Sequence, residues 1–396
     1  MSEKQKSKNK KNDVDDAFEG EISKKPWKTY LNAELGFRNH WYPAFFSPEL
    51  AEGECRGEEM LGERVLFKRI DGVVYAVEDR CLHRGVSFST RPECYTANTI
   101  TCWYHGFTYN LKDGALVNIL TDPESALIGK VSLKTYPVEE HKNVVFVYIG
   151  DGEPHPLVED VQPGFLDDGL AVAPCGHREV IDGNWRLAAE NGVDASHIYI
   201  HRNSGLLNAG RRAIPLASYF VTREDMVIDD EGGPKGVIKG AGKRVSVWET
   251  EIEGVTVSSR YKPDPNAPPS GGTDTSLWLP CGLKVDPFPE PGMVHFEWYV
   301  PVDENTHRYM ITWGRKVASE DEAELFYQEV DNYWRDVVVE KFNNEDEMAR
   351  AAMQRFYTQE DGWNRERLFR PDLVITEWRK LASRYNRGIQ KRDFSA

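Results

Sequence analysis

Two short stretches of this chain repeat one pattern of chemically capable residues. CLHRG holds Cys81, His83 and Gly85; CWYHG holds Cys102, His105 and Gly106, with 18 residues between His83 and Cys102. Thiolate and imidazole both ligate zinc and iron. Closed on one ion, the four side chains would make a tetrahedral zinc site. Alternatively, two irons bridged by two sulfides could take the cysteines on one metal and the histidines on the other. The mixed order Cys, His, Cys, His leans towards the two-iron arrangement, but spacing alone leaves both open. The glycines leave room for backbone N–H groups to approach cluster sulfurs, and Trp103 and Tyr104 can shield the group from water.

A second constellation lies further along, in ENGVDASHIYIH. Asp194, His197 and His201 are spaced by three and by four, so a helix there would put all three on one face. Two such histidines can be ordinary helix residues with satisfied rings, or they can close on one metal. With a carboxylate they would form the 2-His-1-carboxylate set that holds Fe(II) and leaves positions open for O2 and substrate. FNNEDEMAR offers Glu345, Asp346 and Glu347. Most acidic triplets on helices are simply solvated, and spacing does not choose among these three.

The elements that must position these residues divide the chain. Residues 1–25 are polar, charged and of low complexity, which predicts a disordered tail. Residues 26–150 read as an all-β module with both Cys/His pairs inside it. ERVLFKRIDGVVYAVED alternates around Asp71-Gly72, a strong hairpin signal, and a second turn is expected at Asp113-Gly114. GDGEPHPLVEDVQPGFLDDG reads as the connector. Residues 151–396 mix the helical NWRLAAENGVDASHIYIH, a run of strands, and a long helical stretch from SEDEAELFYQEV through EDEMARAAMQRFY. Strands clustered between helices predict an α+β fold and not a wound parallel sheet.

Composition bounds the partners. A net charge of −15 over 396 residues argues against nucleic acid and anionic membrane, and favours a basic docking protein or a neutral small molecule. The longest strongly apolar run, Val144 to Ile149, is far short of a membrane span, and the lysine-rich start is no secretory signal. A cytoplasmic enzyme is expected. Six cysteines (55, 81, 94, 102, 175 and 281) suggest no disulfide framework there; the four outside the motifs are expected to be small buried side chains.

Taken together, C-x-H with C-x-x-H followed by D-x-x-H-x-x-x-H resembles the oxygenase (alpha) component of the Rieske non-haem iron aromatic-ring-hydroxylating oxygenases. The likeness runs through GFRNHWYP, LKVDPFP, FEWYVPVDENTH and FNNEDEMAR, nearly the whole chain after the tail. It implies an all-β Rieske 2Fe-2S domain, then a catalytic domain built on a helix-grip-like antiparallel β-sheet covered by helices. It implies Cys81, His83, Cys102 and His105 as ligands of the 2Fe-2S cluster, and His197, His201 and Asp346 as ligands of a mononuclear Fe(II), with O2 as co-substrate. Asp194 matches an aspartate that bonds an iron histidine of its own subunit and a cluster histidine, here His105, of the next subunit in a head-to-tail homotrimer. NADH electrons would then arrive through a ferredoxin reductase and a ferredoxin, and cross at Asp194. In the branch acting on fused nitrogen heteroaromatics, Gly192, Phe288, His295 and Phe342 match substrate-pocket positions. His295 stands where an amide is usual and Thr275 where an aliphatic residue is usual, which leaves the substrate and its orientation open. The same metals serve Rieske monooxygenases and demethylases. A zinc-stabilised β-module on a ligand-binding domain would carry no redox chemistry at all.

Overall fold

The computed structural model describes residues 25–194, 196–204, 219–220, 223–239, 243–244, 249–258 and 273–392. The expected charged tail lies outside these residues except for Lys25, whose ammonium donates to the Trp363 carbonyl.

Among the described residues ten strands precede the connector: β1 (His40–Phe46), β2 (Cys55–Met60), β3 (Glu63–Ile70), β4 (Val73–Glu78), β5 (Thr99–Thr101), β6 (Phe107–Asn110), β7 (Leu116–Ile119), β8 (Thr135–Tyr136), β9 (Val138–His141) and β10 (Val144–Ile149). They form three antiparallel sheets, β1–β10–β9, β2–β3–β4–β8 and β5–β6–β7. Asp71 and Gly72 join β3 to β4 with φ of 52° and 78°, the double positive φ that a two-residue hairpin turn requires. At the β6–β7 turn, a Cβ on Gly114 would lie 2.3 Å from the Leu133 carbonyl oxygen, so only glycine fits.

The module does not have one core but two. Leu66, Ile70, Val77, Phe88, Ile100, Tyr109 and Leu116 pack around Cys81 and Cys102 in a small core of their own. The β1 and β10 side chains instead join the large core of the second half, where Phe146 meets Phe165 edge-on at 5.9 Å between ring centres. The Pro301 and Val302 carbonyls accept from Leu61 and Gly62 N–H at 2.8 and 2.7 Å, and Arg308 pairs with Glu58 at 2.6 Å, so the β2–β3 hairpin is tied to the rest.

The second half carries β11 (Leu170–Val172), β12 (His177–Asp182), β13 (Tyr219–Phe220), β14 (Val227–Asp229), β15 (Gly236–Ile238), β16 (Lys243–Arg244), β17 (Glu249–Ile252), β18 (Val255–Ser258), β19 (Asp274–Trp278), β20 (Gly282–Asp286), β21 (Met293–Pro301) and β22 (Thr306–Lys316). Eight of these make one antiparallel sheet, ordered β11–β22–β21–β20–β19–β15–β14 with β12 also on β22; β13 pairs β16, and β17 pairs β18. Nearly every residue of β21 and β22 is buried, which requires a covered layer on both faces. The helix Trp185–Val193 supplies part of that cover, with Asn184 capping its start by accepting from Arg186 N–H at 3.1 Å. The α+β reading therefore holds.

The expected single helix through His201 does not form. It stops at Val193; Asp194 is extended, with ψ of 117°, and a 3-10 segment begins at His197 and runs to Asn203. The Asp194 carboxylate accepts the Ser196 N–H at 2.7 Å, a local turn that competes with helix continuation.

Candidate metal centres

The two Cys/His loops are built alike. In the first, Cys81 N–H donates to Val86 O at 2.9 Å and Gly85 N–H to Cys81 O at 2.8 Å; in the second, Cys102 N–H donates to Phe107 O at 2.7 Å and Gly106 N–H to Cys102 O at 2.9 Å. Gly85 and Gly106 close these turns at φ of 71° and 75°. The cysteines point inward, each 2% exposed. Tyr109 hydroxyl sits 3.6 Å from Cys81 Sγ, and Cys102 lies in the same small core as Cys81. The histidines stand at the rim with their Nδ1 atoms 3.1 Å apart. His83 stacks on Phe107 at 5.0 Å, and His105 meets Tyr104 at 3.7 Å with the rings tilted by 37°. Partial desolvation, then the charges of His83 and Arg84, hold His105 below the usual imidazole range, favouring the neutral form that ligates a metal.

Cysteine with cysteine and histidine with histidine is the arrangement a two-iron cluster needs. Among the described residues, three metal-binding donors lie within 4.8 Å of one another only at His197, His201 and Asp346. The four Cys/His donors therefore do not close on a single ion, as tetrahedral zinc would demand.

The second centre gathers side chains from two distant segments. His197 Nε2 lies 3.6 Å from Asp346 Oδ1, and His201 Nε2 lies 3.3 Å from Asp346 Oδ2. The outer nitrogens are tied: His197 Nδ1 to the Asp194 carbonyl at 2.5 Å, and His201 Nδ1 to Glu345 at 3.0 Å. Both rings thus turn Nε2 inward, the tautomer a divalent ion requires. His201 Nε2 is close to Asp346 but out of hydrogen-bond alignment, leaving a buried nitrogen without a partner. Burial alone would raise the Asp346 carboxyl; the close approach of His201, and the positive charge of His197, His201 and Arg350 around it, instead hold it down to about 2. A pocket of one carboxylate and two imidazoles, with an orphaned inward-facing nitrogen, fits a divalent iron.

Of the acidic triplet, Asp346 enters this group while Glu345 backs His201 from outside. Asp194 holds His197, but through its backbone carbonyl, because its own carboxylate is engaged by Ser196. Among the described residues, no hydrogen bond or ion pair joins His83 or His105 to Asp194, His197 or His201.

Three of the four expected pocket residues form a continuous aromatic wall. Phe342 stacks on His201 at 3.9 Å and 18°, Phe288 meets Phe342 at 5.7 Å, and His295 meets Phe288 at 5.3 Å and Trp313 at 5.4 Å. His295 Nε2 lies 3.1 Å from Glu297, though neither ring nitrogen has hydrogen-bond alignment with a partner. Gly192 behaves differently. A Cβ there would come 2.7 Å from Tyr299 Oη and 2.9 Å from Leu283 Cδ1, so its side of the helix is pressed against β20 and β21. Thr275 sits half-buried on β19.

Sequence reasoning missed a supporting layer. Asn191 donates to Asp346 Oδ1 at 3.3 Å and accepts from Arg350 Nε at 2.8 Å, while the buried Arg350 guanidinium lies over the Tyr309 and Tyr299 rings at 4.5 and 5.0 Å. Asn343 donates to Tyr309, whose hydroxyl donates to Glu297 at 2.7 Å. The available signal was spacing: Arg350 follows Asp346 by four, and Asn191 precedes Asp194 by three.

Comparison with known proteins matches both halves of the chain. Residues 40–137 match the Rieske [2Fe-2S] domain, and residues 148–390 match the homotrimeric ring hydroxylase family. The chain belongs to the Rieske ring-hydroxylating oxygenases. Within this family it is 48% identical, over 92% of its length and 95% of the relative's, to the terminal oxygenase component of carbazole 1,9a-dioxygenase from Metapseudomonas resinovorans. A Sphingomonas protein of the same description is 48% identical over 93% of this chain and 96% of its own. The solved carbazole 1,9a-dioxygenase terminal oxygenase from Novosphingobium sp. KA1 superposes with a TM-score of 0.86 at 48% identity, covering 93% of this chain and 98% of that one. A solved complex of such an oxygenase with its ferredoxin gives 0.87 at 46% identity, over 95% and 96%. As a Rieske ring-hydroxylating oxygenase the chain uses a 2Fe-2S cluster, a mononuclear iron and O2. No helix among the described residues is long and apolar enough to cross a membrane.

Proposed function

We propose that this chain is the terminal oxygenase of a multicomponent dioxygenase that adds both atoms of O2 to a fused nitrogen heteroaromatic such as carbazole, by angular attack. NADH supplies the reducing equivalents through a reductase and a ferredoxin, and the working form is a cytoplasmic homotrimer. The observation that carries the reading is the convergence of His197, His201 and Asp346, with both imidazoles held by their outer nitrogens. The cluster domain would span residues 26–150 and the catalytic domain residues 151–396.

In this reading Cys81, Cys102, His83 and His105 hold the cluster, and His197, His201 and Asp346 hold the iron. When bound, the two groups supply single electrons and dioxygen activation. The protein's own contribution is positional. Glu345 and the Asp194 carbonyl fix the two imidazoles, while Asn191 orients Asp346. Phe342 and Phe288 would offer apolar faces, and His295 a polar edge, to a flat ring near His201. In this reading Asp194, half-buried beside this centre, bridges to His105 of a neighbouring subunit. The experiment is product analysis with carbazole and related tricyclic aromatics under isotopically labelled dioxygen, with reductase and ferredoxin supplied. Two labelled atoms in the product are expected. One labelled atom would favour a monooxygenase, and an unreacted ring with full iron occupancy would mean a different substrate.

A further inference from the structure

Cys55, on β2, and Cys94, in the segment between the two cluster loops, bring their sulfurs to 3.6 Å. Neither is the small buried residue that composition alone suggests: Cys94 is exposed and Cys55 half-buried. Beneath them lies Lys68, on the neighbouring strand β3 in register with Cys55 and only 2% exposed. Its positive charge bears on Cys94. A lysine so deeply buried needs an anionic partner to compensate its desolvation, and a Cys94 thiolate supplies one.

The place of the pair in the fold is as telling as its chemistry. The Glu93 carbonyl, one residue before Cys94, accepts the Thr101 N–H at 2.8 Å, and Thr101 directly precedes the cluster residue Cys102. On the other side Asp79, whose charge reaches Cys55, accepts the N–H groups of Phe88 and Ser89 at 2.6 and 3.0 Å, just beyond the loop of Cys81 and His83. The two thiols thus sit between the supports of both cluster loops.

We propose that Cys55 and Cys94 are a redox-active dithiol, in which Cys94 attacks a small-molecule disulfide and Cys55 resolves the adduct, cross-linking β2 to the segment that leads into the second cluster loop. In the first step the Cys94 thiolate forms a bond to one sulfur of the small disulfide, and the other sulfur leaves as a thiolate. In the second, Cys55 loses its proton and attacks Cys94 Sγ, expelling the second small thiolate. The protein dithiol is oxidised by two electrons, the small disulfide is reduced to two thiols, and the protons pass to those thiols.

The assignment of roles follows from the surroundings. The hydrogen bond from Cys55, and after it the proximity of Lys68, overcome burial and lower Cys94 to about 6, while Cys55 is pushed up. At pH 6 about half of Cys94 is then thiolate, against about one part in a thousand for a thiol titrating near the ordinary value of 9.0. The lower basicity costs about 20-fold in intrinsic nucleophilicity, leaving Cys94 about 20-fold more reactive at that pH.

The test uses the iron-loaded chain with its cluster intact, glutathione disulfide as the oxidant, and mass spectrometry after differential alkylation. Native Cys94 should be alkylated by iodoacetamide at pH 6 about 20-fold faster than the same cysteine in the urea-unfolded chain. Glutathione disulfide should yield a linked Cys55–Cys94 peptide. Cys55→Ser should instead accumulate glutathione on Cys94, and Cys94→Ser should carry none on Cys55; cluster absorption in each variant confirms the fold. Equal alkylation rates, no linked peptide from the parent chain, or a glutathione adduct on Cys55 in Cys94→Ser would each overturn the proposal.

Discussion

Glu345 and Asp346 are adjacent in sequence and both touch His201, yet the structure gives them different work, and truncating each should separate the two. Asp346 reaches the inner Nε2 at 3.3 Å; Glu345 reaches the outer Nδ1 at 3.0 Å. Glu345→Ala removes the acceptor that keeps the Nδ1 proton in place, and with it the preference for an inward lone pair. Loss of such an outer partner typically weakens metal binding by about 10–100-fold. The Glu345 side chain is 37% exposed, so water can replace its oxygen, and the expected loss is at the low end, about tenfold or ~1.4 kcal/mol. On the proposed assignment Asp346→Ala removes a ligand outright. It also leaves the buried Arg350 without that carboxylate and Asn191 without an acceptor, so iron loss should exceed about a thousandfold, beyond the range of an outer partner. The assay is anaerobic Fe(II) titration of iron-stripped protein against a competing chelator, with cluster absorption as the control for folding. Glu345→Gln, which keeps an oxygen acceptor, should recover most of the affinity. If Glu345→Ala loses iron and Asp346→Ala keeps it, the carboxylate of this site has been misassigned; if Glu345→Ala binds iron like the parent, the Nδ1 contact positions nothing.

Three further outcomes can be stated. Asp194→Asn keeps the oxygen that accepts from Ser196, so both metals should remain bound while turnover with ferredoxin and reductase falls to background; normal product formation would remove Asp194 from electron transfer between subunits. Gly192→Ala drives a methyl to 2.7 Å from Tyr299 Oη and 2.9 Å from Leu283, which should cost about 1–3 kcal/mol in denaturant unfolding, and an unchanged midpoint would show that the helix shifts freely. Burial raises Glu63, but Lys134, Tyr136 and Arg38 hold it down to about 2 from an ordinary 4.5. Because the folded value is depressed, its stabilisation is present above about pH 4.5 and is lost as pH falls towards 2; Glu63→Gln should lower stability at pH 7 by up to about 3 kcal/mol, a gap that closes on acidification.

The cluster half of the chain was legible because its signals are local. Asp71-Gly72 can only be read as a tight turn, and each Cys/His loop closes on its own backbone within a few residues. Even there Lys142-Asn143 turns β9 into β10 with φ of 52° and 64° and no glycine to announce it. The iron half depends on contacts between segments about 150 residues apart, such as Asn191 with Asp346, and no single-window pattern carries those. Asp194 illustrates the limit. Its spacing to His197 and His201 suggested one helical face, but a short acidic side chain that can bond the backbone two residues on ends the helix. The histidines still converge, through a 3-10 turn, with ring centres 5.6 Å apart.

The long helix shows how a correct element can hide its functional feature. From Val330 to Asn343 it winds as π-helix, apart from Arg335, before Asn344 begins a regular α-helix. The buried residues of that stretch are Val330, Trp334, Val338, Val339, Phe342 and Asn343. At about 100° per residue they would be smeared over about 220° of the circumference. At about 82° per residue, the pitch of i→i+5 bonding, the same six fall within about 115°. The wider winding thus turns an apparently patternless run into one apolar stripe. Its last two members are the residues that matter at the iron site: Phe342 lies flat on His201 and Asn343 bonds Tyr309. Returning to α-helical winding at Asn344 then places Asp346 and Arg350, four apart, on one inward face. A π-segment is less favourable than the α-helix it replaces, so its persistence here is explained by what it delivers: a ring, an amide and a carboxylate to one centre from a single continuous helix.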